Sequence, residues 1–240
     1  MNKILLIIPT YNENQNISAL LDEVEKETSK FDLSILIVDD SSTDGTIETV
    51  ENKKQIYNNI QTLKRPAKLG LASAYIDGIK YGIKNNFEYF IEMDADFSHN
   101  PKYLSTMIEN LKENDVVIGS RNIKGGSVVN WGFLRNLISK GGSLYSRLIL
   151  NCPINDLTGG FNGWSKKIIE KIDLDTIISK GYSFQIEMKY KAYKNKAKII
   201  EFPIVFEDRK FGKSKMSKTI FFEALLNILK IRFSKQKQNN

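Results

Sequence analysis

Short apolar runs alternate with longer amphipathic ones along the whole chain, and few folds accept that pattern: it is the mark of βαβ units building a mostly parallel sheet. Ile4–Ile8 reads as a strand, Asn14–Thr28 as a helix with Ile17, Leu20, Leu21 and Val24 on one face, and Leu33–Val38 as a second strand. Asp44 or Ser42 is placed to cap a helix reaching about Tyr57. Asn59–Leu63 (strand), Gly70–Lys84 (helix) and Tyr89–Met93 (strand) follow. Further on come a helix Pro101–Leu111, a strand Val116–Gly119, a Gly-bearing loop Gly125–Asn130 and a long helix Trp131–Leu150. A turn-rich loop Asp156–Phe161 leads into a short strand, then helical stretches Lys166–Ile178 and Ser183–Tyr193 and a strand Ile199–Phe206. The expected class is α/β with helices on both sheet faces. In open sheets of this kind ligands sit beyond the carboxyl ends of the strands, where Pro9–Glu13, Asp39–Asp40 and Asp94–Asp96 converge.

Composition limits what such a fold can do. The 240 residues carry 35 Lys plus Arg and 28 Asp plus Glu, a net +7. Residues 209–240 hold nine cations against one acid, a net +8, so the other 208 residues, with 26 cations and 27 acids, are near neutral at −1. A near-neutral body argues against a nucleic-acid-binding protein, despite a pI of about 9.2. The single Cys152 rules out an internal disulfide or multi-thiolate metal site and is read as structural; the single His99 rules out a His-rich zinc centre and is read as a residue leading into a helix. The five-residue run Ile4–Ile8 before Pro9 is expected to be a strand rather than a signal peptide.

Met93-Asp94-Ala95-Asp96 carries the strongest chemical signal. Two carboxylates one residue apart after a buried strand repel unless a cation sits beside them. Mg²⁺ takes a few carboxylates plus substrate phosphates, which suits a nucleoside diphosphate. Alone, Asp-x-Asp more often describes two solvated loop acids than a metal site; Asp39-Asp40 at a neighbouring strand end adds weight to the metal. Likewise Asp156 either closes an Asx turn in Asp156-Leu157-Thr158-Gly159-Gly160 or acts as a spare acid.

Seven segments occur in order: Pro9-Thr10-Tyr11-Asn12-Glu13, Val38-Asp39-Asp40-Ser41-Ser42-Thr43-Asp44-Gly45-Thr46, Leu69-Gly70-Leu71-Ala72, Met93 to His99, Gly119-Ser120-Arg121, Asp156 to Phe161, and Asp208 to Lys215. Together they resemble the dolichol-phosphate mannose synthases and related polyprenol-phosphate glycosyltransferases of glycosyltransferase family 2. The resemblance spans residues 3–215. It implies a GT-A, Rossmann-like nucleotide-sugar-binding fold over residues 1–215, followed by a basic amphipathic helix and tail over 216–240. It implies an inverting transfer of a hexose, mannose from GDP-mannose or glucose from UDP-glucose, to a polyprenyl phosphate, with Mg²⁺ or Mn²⁺. Residues matching Pro9, Tyr11, Glu13, Val38 and Asp40 would hold base and ribose; Asp94, Ala95 and Asp96 would hold sugar, diphosphate and metal, with Asp96 the direct ligand. Ser98 matches a metal-side position. Arg121, Arg209 and Lys215 match cations that neutralise diphosphate or acceptor phosphate, and Arg135 and Ser139 match the pair that grips the lipid phosphate. A processive polysaccharide synthase would show Gln-x-x-Arg-Trp after the Asp-x-Asp, and none occurs.

No stretch reaches the roughly 20 apolar residues that span a bilayer. Ile220–Phe233 instead makes a broadly apolar helix with Glu223, Asn227 and Lys230 in a narrow polar stripe. It suits either a membrane interface, helped by flanking cations, or the protein's own core. The expected location is cytoplasmic and peripheral to the membrane, with the membrane surface or a small membrane subunit as a partner and no nucleic acid.

Overall fold

The structure, a computed structural model, describes residues 3–129, 133–179, 181–207 and 218–233; Arg209 and Lys215 lie outside the described residues, as does the side chain of Arg135. In chain order the first elements are β1 (Ile4–Thr10), α1 (Asn14–Thr28), β2 (Leu33–Asp39), α2 (Thr46–Lys54), β3 (Ile60–Lys64), α3 (Leu71–Lys84) and β4 (Tyr89–Glu92). After these come α4 (Leu104–Leu111), β5 (Val116–Ser120), β6 (Ser127–Val129), α5 (Phe133–Leu150), β7 (Asn162–Ser165) and α6 (Lys166–Ile169). The last are α7 (Tyr182–Lys194), β8 (Ile199–Pro203), β9 (Val205–Glu207) and α8 (Lys218–Phe233). Seven strands form one sheet in the order β3-β2-β1-β4-β7-β5-β8, parallel except for β7, which runs antiparallel to both β4 and β5.

The central strands read as unbroken apolar runs because both faces are covered. Leu5, Ile7, Leu36 and Val38 point into a core shared with α3 and α7, while Ile4, Leu6, Ile8, Ile35 and Ile37 point into a second core under α1 and α4. Helix α3 lies close on the sheet through Gly78 and Gly82: a Cβ on Gly78 would stand 2.6 Å from Ile7 Cγ2, and one on Gly82 2.5 Å from Phe90 Cε1.

The observed elements depart from expectation in the second half. Gly125–Asn130 is not a plain loop, because Ser127–Val129 forms β6 and pairs in parallel with β9. Ile199–Phe206 is two strands; between them the Ile204 amide donates to Ser120 O and turns the chain from the large sheet to the small pair. The stretch from Lys166 to Ile178 holds only the single turn α6 and a 3₁₀ turn at Leu174–Thr176, whose start is fixed by Asp173 accepting from the Asp175 amide. Pro101 begins a 3₁₀ turn capped by Asn100, so the helix proper starts at Leu104.

Helix α8 packs against α5 and α7. Ile228 and Ile231 are buried and Arg232 Nη1 lies 3.3 Å from the Tyr190 hydroxyl, while Leu226, Leu229 and Phe233 stay exposed. The reading in which this helix docks on the protein's own core describes its buried face. No helix among the described residues is long and apolar enough to cross a membrane.

Candidate active site

The strands deliver their chemistry to one edge. The loops after β1 and β2 are laced together: Thr10 Oγ1 donates to Asp39 Oδ2 (2.8 Å), the Asn12 amide to Ser42 Oγ (2.9 Å), the Thr43 amide to Asn12 Oδ1 (2.9 Å) and the Asn14 amide to Asp44 Oδ2 (3.0 Å). Asp39 also accepts from the Ser42 amide at 2.8 Å, which makes it the anchor of this wall. Three non-glycine residues with left-handed φ, Asn12 (57°), Ser41 (59°) and Phe97 (63°), follow β1, β2 and β4. Such backbone is costly for a bulky residue and persists where the surroundings impose it.

Asp40 is buried and its carboxylate is held twice, by Arg65 Nη1 on Oδ1 and by the Gly70 amide on Oδ2 (2.8 Å). Arg65, itself buried, also reaches Ser73 Oγ (2.6 Å) and Asp77 (3.1 Å). Lys68 Nζ lies 3.9 Å from the centre of the Tyr11 ring. Glu13 Oε2 accepts from Asn16, and Pro9 occupies the last turnward stretch of β1. Val38 has no exposed surface, so its side chain belongs to the core beneath this pocket.

After β4, Asp94 Oδ1 accepts from the Tyr75 hydroxyl (2.9 Å), and Asp96 Oδ1 accepts from the Ser98 amide (3.1 Å) and Ser98 Oγ (2.6 Å). Tyr75 lies parallel to Phe184. Burial, then the charges of Asp94 and Glu92, raises its hydroxyl well above the ordinary tyrosine value, so it stays a donor. His99 is more than a residue leading into a helix: its Nδ1 accepts from the Asp94 amide (3.0 Å) and its ring packs against Phe161 and Phe206. Burial lowers its pKa, against the pull of Asp94 and Asp96, so the ring is neutral with its proton on Nε2. Among the described residues no group of three or more His, Cys, Asp or Glu is arranged to hold a metal. The donor set Asp94 and Asp96, two carboxylates one residue apart after β4, fits a hard divalent cation that completes its shell from a substrate.

At the end of β5, Arg121 is paired in parallel with Asp156: Nε to Oδ2 and Nη2 to Oδ1, both 2.7 Å, with the Arg121 amide on Oδ2 at 2.9 Å. The Gly159 amide closes a turn on Asp156 Oδ1 (2.9 Å), so Asp156 makes the expected Asx-type turn and an ion pair besides. Burial alone would raise the Asp156 carboxyl, yet the charge and hydrogen bonds of Arg121 and the charge of Lys189 outweigh it and hold the group far below the usual carboxylate range. Arg121 Nη2 also donates to Thr158 Oγ1 (2.9 Å), which meets Ser143 of α5 at 3.1 Å. Ser139, half-buried, lies one turn before Ser143 on α5.

The family profile for glycosyl transferase family 2 matches residues 5–173. The chain belongs to that family. The family member is 39% identical over 226 residues to an undecaprenyl-phosphate mannosyltransferase of Micrococcus luteus, covering 94% of this chain and 92% of that one. It is 37% identical to a polyprenol monophosphomannose synthase of Mycolicibacterium smegmatis, over 93% and 84%. Both agree with the resemblance read from the seven segments. Glucosyl-3-phosphoglycerate synthase of Mycobacterium tuberculosis, solved with Mn²⁺, UDP and glucosyl-3-phosphoglycerate, superposes with a TM-score of 0.72 at 13% identity, over 98% of this chain and 82% of that one. The family 2 transferase thus has the GT-A fold expected.

Four contributors escaped the sequence reading. Arg65 stands at the end of β3, the same position that marked Asp39 and Asp94 on their strands, and could have been found by that rule. Tyr75 and Lys189 are buried from helix interiors, where no local signal separates them from core or surface neighbours, and Glu92, the last residue of β4, escapes notice inside a strand read as reaching Met93.

Proposed function

We propose that this transferase moves mannose from GDP-mannose to the phosphate of a polyprenyl phosphate, with inversion, at a membrane surface and with Mg²⁺ or Mn²⁺ held by Asp96 together with Asp94. The observation that carries the acceptor class is the state of Asp156. A hydroxyl acceptor needs a base to take its proton. Asp156 is a very weak base, bound on both oxygens by Arg121, and His99 Nδ1 is occupied by the Asp94 amide. A phosphate monoester has its second pKa near 6, so it reaches the site as a dianion and needs no base.

In this reading Tyr11, Glu13, Pro9 and the Asp40–Arg65 pair surround base and ribose, with Val38 shaping the pocket floor from below and Ala95 giving the sugar close access between its two acids. The metal supplies positive charge to the leaving diphosphate. Arg209 and Lys215 are assigned to the same charge, Arg121 to the acceptor side, Arg135 and Ser139 to the lipid phosphate, and Ser98 to the metal side, where it orients Asp96. One acceptor phosphate oxygen attacks the anomeric carbon, the bond from that carbon to the diphosphate oxygen breaks, and no proton moves. Names of relatives at 37–39% identity support mannose and a polyprenyl phosphate. Exposed Leu144, Leu148, Leu226, Leu229 and Phe233, with exposed Lys140, Lys230 and Arg232 on the same two helices α5 and α8, support contact with an anionic lipid surface and agree with a peripheral position at the cytoplasmic face.

The test is a panel of radiolabelled nucleotide sugars with a short polyprenyl phosphate and Mn²⁺. Label in the lipid from GDP-mannose is expected; label from UDP-glucose instead overturns the donor, and label in no lipid product overturns the acceptor.

A further inference from the structure

Lys189, on α7, has no exposed surface and takes no part in the ligand contacts proposed above. Its Nζ lies 2.8 Å from Asp156 O, 2.7 Å from Gly159 O and 3.5 Å from Leu157 O, so its three donors are spent on three carbonyls of one loop. Burying an ammonium is expensive, and an apolar side chain of the same length would fill the space without that cost. Its use therefore calls for a task that needs donors. The loop it holds has a consistent orientation: the carbonyls of Asp156 and Gly159 turn inward to the ammonium, while the Asp156 carboxylate and the Thr158 hydroxyl turn to Arg121 and to Ser143 of α5. Asn162 Nδ2, 3.3 Å from Gly159 O, seconds the same grip. At its far end the loop closes on the metal-side acids: a Cβ on Gly160 would stand 3.4 Å from His99 Cε1 and 4.0 Å from Asp94 Oδ2.

We propose that Lys189 is a positioning residue for the transfer, its buried ammonium fixing the Asp156–Gly159 loop so that the acceptor side of the site is set against Asp94. The assignment rests on the transferase reading above for its effect on turnover. Charged groups facing the ammonium come from every neighbouring element: Asp156 and Arg121 from the loop and β5, Glu92 from β4 and Glu201 from β8. Burial outweighs the pull of Asp156 and brings the Lys189 pKa down to about 8, so the grip weakens at mildly alkaline pH.

Lys189→Met keeps the volume and removes the donors. Three measurements on the full chain decide the matter: turnover against donor affinity, the pH profile of turnover, and hydrogen exchange in the peptide spanning residues 152–161. The expected result is a fall in kcat of about tenfold to a hundredfold with nucleotide-sugar Kd within about twofold. The alkaline decline of the wild-type profile disappears in the variant, and exchange in 152–161 rises by about tenfold or more. Lys189→Ala with added ethylamine regains turnover, whereas added ethanol does not restore it. Turnover within about twofold of wild type, or kcat and donor affinity falling in equal proportion, overturns the proposal. Should Lys189→Met not fold, as its melting curve shows, Lys189→Gln, which keeps two donors, is expected to fold and to regain part of the loop protection; its failure to protect the loop overturns the proposal. If wild-type protein labels no lipid with any donor, the transferase reading falls, and unchanged exchange in the 152–161 peptide still refutes the grip on the loop.

Discussion

Replacing Asp156 by Asn tests the buried pair at the end of β5. The carboxylate has no exposed surface and accepts from Arg121 Nε, Nη2 and main-chain amide and from the Gly159 amide. Asparagine keeps the shape but turns one acceptor into a donor and removes the negative charge paired in parallel with the Arg121 guanidinium, which is 7% exposed and feels the Lys189 ammonium as well. Removing one partner of a buried pair costs about 3–5 kcal/mol. For a chain of this length that lowers the melting temperature by about 6–20 °C. The pH dependence has a definite sign. The folded-state pKa of Asp156 is depressed, so its contribution is fully present above the unfolded value near 3.9 and is lost as pH falls through the folded value. Urea unfolding of wild type and variant from pH 7 to pH 3 is the assay: the gap is expected to be constant from pH 7 to about 5 and to narrow below about pH 4. A gap under about 1 kcal/mol at pH 7, as for an exposed pair, refutes the reasoning. So does a gap that widens toward acid.

Asp96→Ala is expected to cut Mn²⁺-dependent turnover by about a hundredfold or more; near-normal turnover in a Mn²⁺ titration removes Asp96 as a ligand. Arg65→Met leaves the Asp40 carboxylate buried without its cation, and the Kd for the donor nucleotide, by calorimetry, should rise about tenfold or more. Arg135→Ala should weaken use of the lipid phosphate more than donor binding, measured as separate KM values; equal loss contradicts its assignment. Leu148→Asp with Phe233→Asp should reduce co-sedimentation with anionic vesicles about tenfold or more while donor binding holds, since each exposed apolar side chain is worth about 1.5–3 kcal/mol when buried.

The first half of the fold was legible because β1, β2 and β4 carry apolar runs and lead into polar residues with a distinct chemistry, Glu13, Asp40 and Asp94. Burial on both faces writes itself into the sequence as a run. The second half was less so. Strands of three residues such as β6 and β9 have no period to detect, and the break at Ile204 depends on a carbonyl, Ser120 O, more than 80 positions earlier. Within the site, Asp94, Asp96 and Asp40 were readable as strand-end acids, and Arg121 and Asp156 as separate motif residues. Their union as an ion pair was not, because it is made by the insertion of β7. Lys189 is the hardest case. Helix α7 is buried from Ser183 to Ala192 although Gln185, Glu187, Lys189 and Lys191 alternate with its apolar residues. That alternation reads as a half-solvated helix until its neighbours on every side are known.

Strand β5 pairs with β7 and β8 only, both of which follow it in the chain. During synthesis Val116–Ser120, an apolar segment with two unpaired edges, therefore waits about 40 residues for its first neighbour, roughly 2–8 s at ribosomal speed. The strands β1 to β4 pair among themselves and face no such delay. A nascent chain halted near residue 150 would hold β1 to β4 already paired with one another, but with α7 still missing from one of their cores and a sticky strand beside them. Exposure of that strand, more than the stability of the completed protein, sets the stage of biogenesis at which a chaperone matters most.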